Sequence, residues 1–183
     1  YQSFSNTSTA WGTNNIAIGY QALFFNQPTS VNNGINNTAI GHESLRGNRT
    51  GYSNTACGFQ SLRSNSAGVN NTALGYHSLY SNVGNHYSVA IGFEARRYAD
   101  NRIAGVITYN TAVGYQALRG STTAGNNTGT CGTALGYQSL LDNTSGYMNT
   151  ANGYRSLANN TIGNYNTATG SNSLYSNTTG RYN

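Results

Sequence analysis

Lysine is absent from this sequence, and the remaining charge is sparse: nine arginines face four acids, and charged residues make up 7% of the chain. Proline, methionine and tryptophan occur once each and cysteine twice. The net charge of +5 comes from arginines scattered at 46, 49, 63, 96, 97, 102, 119, 155 and 181, of which only Arg96 and Arg97 are adjacent. Nucleic-acid interfaces need basic residues gathered on one face, so none is expected, and the surplus leaves only a weak attraction to acidic polysaccharide or cell surfaces. No run approaches the ~20 apolar residues of a membrane-spanning helix, so no membrane-embedded segment is expected. A hydrophobic content of 37% is also thin for one compact core in 183 residues.

What is abundant is asparagine, 29 residues, and glycine, 23. Taken alone that composition suggests low complexity or disorder. Its regularity says otherwise. The string NTALGYHSL at 71–79 returns as NTAVGYQAL at 110–118, and aligning every copy on its alanine gives Ala17, Ala39, Ala56, Ala73, Ala90, Ala112, Ala134, Ala151 and Ala168. The intervals are 22, 17, 17, 17, 22, 22, 17 and 17, a period of 17 residues with an optional insertion of five. Residues 1–4, YQSF, read like YQSL at 137–140, as in a segment of a longer array or a subunit whose ends stack on neighbours.

A period this short specifies a solenoid whose coils cannot bury their apolar side alone. Two helices need thirty or more residues per repeat, whereas 17 fit two strands of about five plus two turns, so the coils are β. The expected fold is all-β: a parallel β-solenoid, or β-roll, of about nine coils over residues 14–183, with residues 1–13 a partial or irregular first coil. Nine coils make a rod ~43 Å long.

Columns of equivalent positions then acquire meaning. Alanine at one position in all nine copies marks a side chain pointing where only a methyl fits, and the glycine two later marks a close backbone approach. Leucine six after the alanine, in eight of nine copies, supplies the interior ladder, with Arg96 the exception. The position after the alanine is apolar through Leu135 and becomes polar at Asn152 and Thr169; strand alternation puts it on the face opposite the alanine. Asparagine nine after the alanine in the 17-residue coils (Asn48, Asn65, Asn82, Asn143, Asn160, Asn177) is expected to bond turn backbone and its own copies as a stacked ladder. Three after the alanine stand Tyr20, His42, Phe59, Tyr76, Phe93, Tyr115, Tyr137 and Tyr154, read as a stiffening ring stack or a sugar-binding strip. Two apolar columns on opposite faces cannot both be interior, so partner copies are expected, in a trimer or a filament.

Catalytic constellations are not found. Glu43 and Glu94 share a column but lie three coils apart, ~14 Å, beyond the ~5–9.5 Å of paired glycosidase carboxylates. The three histidines fall in different columns, no phosphate loop or calcium-roll nonapeptide occurs, and no enzyme activity, cofactor or metal is expected. Cys57 and Cys131 fall about four rungs apart, ~19 Å, too far for a disulfide; Cys57 is expected to be buried and Cys131 free in a turn. Eight Asn-x-Ser/Thr sites barely exceed chance, so glycosylation is permitted but not indicated.

Three insertions, near 24–34, 96–108 and 119–131, are the least repetitive stretches. ARRYADNRIAGVITY at 95–109 is expected to bulge from the rod, and recognition is sought there first, at Arg96, Arg97, Tyr98, Arg102 and Tyr109. SVAIGFEA at 88–95 and NTAIG at 37–41 resemble the coils in the head domains of trimeric autotransporter adhesins and related tail-fibre-like surface proteins of bacteria and phages. That resemblance implies a left-handed parallel β-roll, three of which form a trimeric head that binds host matrix or other surfaces. The expected function is an extracellular structural or adhesive fibre element at a cell or virion surface, with an ice-binding protein using its threonine column, or a tailspike with glycan-directed activity, as the alternatives.

Overall fold

The computed structural model describes residues 14–183. Nine strands of three residues each recur at the motif: β1 Ile16–Ile18, β2 Thr38–Ile40, β3 Thr55–Cys57, β4 Thr72–Leu74, β5 Val89–Ile91, β6 Thr111–Val113, β7 Thr133–Leu135, β8 Thr150–Asn152 and β9 Thr167–Thr169. They form one parallel sheet in sequence order, and each alanine pairs with the alanine of the next coil. The described residues are thus an all-β parallel solenoid of nine coils, as the period requires.

The coil itself differs from the expected pair of five-residue strands. Only the triplet centred on the motif alanine is a strand, and the rest of each coil is a run of turns. In the fourth coil Gly75 takes φ 127°, His77 52° and Leu79 50°. Left-handed conformation costs a non-glycine residue about 1–3 kcal/mol. The coils offset this by continuing their backbone ladder around the turns, with N–H groups pointing alternately to the coil on either side. His77 N–H donates back to Phe59 C=O at 3.0 Å, and Leu62 N–H donates forward to Ser78 C=O at 2.9 Å.

The interior is filled by the alanine and leucine columns; Leu45, Leu62, Leu79, Leu140 and Leu157 are wholly enclosed. A coil this slim leaves a methyl's width beneath the strand and leucine's volume opposite it. The residue after each alanine points outward, so Cys57 is exposed rather than buried, and Cys131 is exposed too; both thiols are free.

Asparagine replaces hydrophobic mass at the corners. Asn48 donates to Asn26 Oδ1 at 2.8 Å, Asn65 to Asn48 Oδ1 at 2.7 Å and Asn82 to Asn65 Oδ1 at 3.0 Å, and Asn48, Asn65 and Asn82 also donate to the carbonyl three residues on. Asn26 belongs to this ladder although its coil carries an insertion. A second ladder, not anticipated from the sequence, is built by the first letter of the NTA motif. Asn54 donates to Asn37 Oδ1 at 3.1 Å and to Gly68 C=O at 2.8 Å, and Asn71, Asn166 and Asn183 repeat the donation to the previous rung. Buried amides bonded on both sides satisfy the rule that interior polar groups be paired.

Candidate interaction surface

With alanine inward, its two strand neighbours face out. The outer face of the sheet therefore carries three columns: threonine before the alanine, the apolar residue after it, and the aromatic residue past the glycine. Ile18 is 59% exposed, and Ile40 and Leu135 are also exposed. None of the three columns contains Arg, Lys, Asp or Glu over its nine rungs.

The aromatic column is one continuous stack from Tyr20 to Tyr154. Neighbouring ring centroids lie 5.0–5.3 Å apart, and from Phe59 onward the planes are within 5–8° of parallel. Between the end rings Tyr20 and Tyr154, each ring's faces are covered by the rings above and below, which leaves edges outward. That geometry favours the stiffening role over a sugar platform, since a pyranose needs an open ring face.

Beside the rings runs a polar column. Gln60 donates to Glu43 at 2.7 Å, Gln60 and His77 share a hydrogen bond of 2.8 Å, and Gln138 donates to Gln116, which donates to Glu94. Every acid has an arginine: Glu43 pairs with Arg46 and Arg63, Glu94 with Arg97, Asp100 with Arg102 and, at 3.9 Å, Asp142 with Arg119. Burial and the charges of Arg97 and Arg63 push the His77 imidazole down, outweighing Glu94, so it is neutral at physiological pH.

Burial alone would raise the Glu43 carboxyl. Hydrogen bonds from Arg63 and Gln60, with the charges of Arg63 and Arg46, outweigh that and hold it below the usual carboxylate range. Because the folded-state value is the lower one, the stabilisation is present above the unfolded value of about 4.3 and is lost as pH falls through the folded value. Glu43→Gln is therefore expected to melt below the parent at neutral pH, with the gap closing under about pH 4; thermal melts across that range check it.

The candidate recognition residues do not form one surface. Arg96 lies inside the coil, 3% exposed, because Ala90 plus six is the leucine position; it is not a surface residue. Arg97 pairs with Glu94 and lies over the Tyr98 ring at 5.0 Å. Arg102 stands at the exposed loop tip on the buried carboxylate of Asp100, and Tyr109, 59% exposed, stacks obliquely on Tyr87 one coil away. The second and third insertions meet where Asn127 Nδ2 donates to Tyr98 C=O. Among the described residues no group of three or more His, Cys, Asp or Glu is placed to hold a metal ion, and no helix is long and apolar enough to cross a membrane.

Comparison with protein-family models, with curated proteins and with solved structures finds no match for the chain. The outward sheet face is the surface on which a functional reading rests.

Proposed function

We propose that this chain is an extracellular structural or adhesive fibre element, a rigid rod that associates with copies of itself, as a trimer or an end-to-end filament, and attaches to surfaces. The supporting observation is the uncharged outward face. Its three columns run nine rungs and cover roughly 500 Å²; the threonine column is polar, and the aliphatic and aromatic columns beside it supply the exposed apolar surface. Copies of the same rod are the partner that matches such a face along its whole length, because the period is shared. The paired acids, the covered aromatic faces and the ladder-locked coils add stiffness.

Sedimentation of the parent and of Ile91→Arg tests this reading. Ile91 points outward, so arginine there leaves the interior intact. The parent is expected to sediment as an oligomer and the variant as a folded monomer with an unchanged circular dichroism spectrum; a parent that is monomeric and well folded overturns the reading. A second reading is favoured by the outward orientation of Thr38, Thr55, Thr72, Thr111, Thr133, Thr150 and Thr167 at β-rung spacing: the same face would order water and bind ice. Thermal hysteresis in the monomeric state is its signature.

A further inference from the structure

The stack contains one break. The first asparagine ladder runs from Asn26 to Asn82 and resumes at Asn143, while the two coils between place Ala99 and Ser121 at that position. Each rung's amide N–H donates to the carbonyl oxygen of the rung before it. A gap therefore leaves an orphaned acceptor on one side and a free donor on the other. Asn82 Oδ1 is buried without a partner, and Asn143 Nδ2 keeps only its bond to Gly146 C=O, at 2.8 Å, where Asn160 makes two. The second ladder lapses nearby, at Ser88 and Gly132 on either side of Asn110. Ser88 stands where Asn110 would find its acceptor, and Asn110 Nδ2 donates to Gly129 C=O alone.

Into this gap projects Arg96. Its guanidinium is enclosed, and its one side-chain hydrogen bond runs from an Nη to Ser88 Oγ. Asp100 is near enough to favour the charged form, but its carboxylate is engaged by Arg102. Burial pushes Arg96 down to about 10, and the charge of Asp100 offsets only part of that. A guanidinium carries five N–H donors, and enclosing one without a bound counter-charge is strongly unfavourable. Beside it lies a cavity of about 10 Å³ lined by Arg96, Asn110, Asn127, Asn143, Ala99 and Leu118, among others. It has the room of a single water or a small ion. The unpaired Asn82 acceptor is not among its lining residues, whereas Arg96 and the singly bonded amides of Asn110 and Asn143 are.

We propose that this cavity binds one small monovalent inorganic anion of chloride's size, held by the Arg96 guanidinium and the free amide N–H groups of Asn110 and Asn143. The anion supplies the negative end that the interrupted ladders lack and neutralises the enclosed arginine. Residues of the two insertions, Tyr98, Ala99, Asn127 and Gly129, form part of its wall.

Unfolding at constant ionic strength in potassium chloride and in potassium gluconate, whose anion is too large for the cavity, tests the site. Above the dissociation constant the folding equilibrium constant should rise about tenfold for each tenfold increase in chloride. Arg96→Leu, which restores the residue of the other eight coils, should fold and lose that dependence. Crystals soaked in bromide should show one anomalous peak beside Arg96. Equal stability in the two salts together with no bromide peak there overturns the proposal in favour of a single water, and chloride dependence that survives in Arg96→Leu overturns it by placing the anion elsewhere.

Discussion

Gly75→Val is expected to abolish the fold of the central coils. A Cβ at this position lies 2.6 Å from the carbonyl oxygen of Gly92 and 2.8 Å from its carbon, both backbone atoms fixed by the next rung. The local φ of 127° lies outside the region that a β-branched residue adopts. Neither neighbour can retreat, because Gly92 N–H is itself bonded back to Leu74 C=O at 2.7 Å. The loss exceeds about 4 kcal/mol, a large part of the 5–15 kcal/mol available to a domain. Circular dichroism melts and limited proteolysis should find the variant unfolded, or split at that rung. Gly170→Val is the control: no atom stands within 4 Å of its Cβ, so only the backbone strain remains, about 1–3 kcal/mol. Equal damage at both positions would mean that stacking contact is not why glycine is used.

Asn65→Asp is the second large effect, and it changes almost no volume. Asn65 is completely enclosed; its Nδ2 donates to Asn48 Oδ1 at 2.7 Å and to Gly68 C=O at 3.0 Å, while its Oδ1 accepts from Asn82. A carboxylate there removes both donations and sets its charge against two oxygens. Uncompensated buried charge costs about 3–5 kcal/mol. Burial among acceptors raises the folded-state value above the unfolded value of about 3.9, so the deficit is full above the raised value and shrinks as pH falls through it. Melts of parent and variant should converge on acidification. A variant as stable as the parent at neutral pH would contradict the ladder's role.

The columns were legible because equivalence between coils is written directly in the spacing. Nine alanines aligned by eye are the nine that pair in register, and the glycine, leucine and aromatic columns follow from them. Local conformation was not legible. Leu79 and its equivalents adopt left-handed backbone because the ladder continues through them, and leucine carries no intrinsic sign of that state. The outward column was hard to place for a different reason: Ala and Ile are both apolar, and only the width of the coil decides which is enclosed. Asn37, Asn54 and Asn71 are visible as the first letter of the motif, but a residue type common before strands carries no sign that its amide turns inward to bond its own copies. Arg96 carries two conflicting signals: residues 95–109 repeat poorly, which suggests a bulge, while it is also the exception in the leucine column, and the structure follows the second. That second signal is its register, six after Ala90, which puts it in the leucine column regardless of its neighbours.

Distances between spin labels on one outward column test the stacking most directly. In a background of Cys57→Ser and Cys131→Ser, labels at Thr38→Cys and Thr111→Cys span four rungs and should lie ~19 Å apart, and labels at Thr38→Cys and Thr167→Cys span seven and should lie ~34 Å apart. Because all three labels leave the same face, linker lengths cancel in the difference, and separation should grow by ~4.8 Å per coil whether the coil has 17 residues or 22. Distances that follow residue number instead of coil number, or that scatter broadly, would contradict the in-register rod.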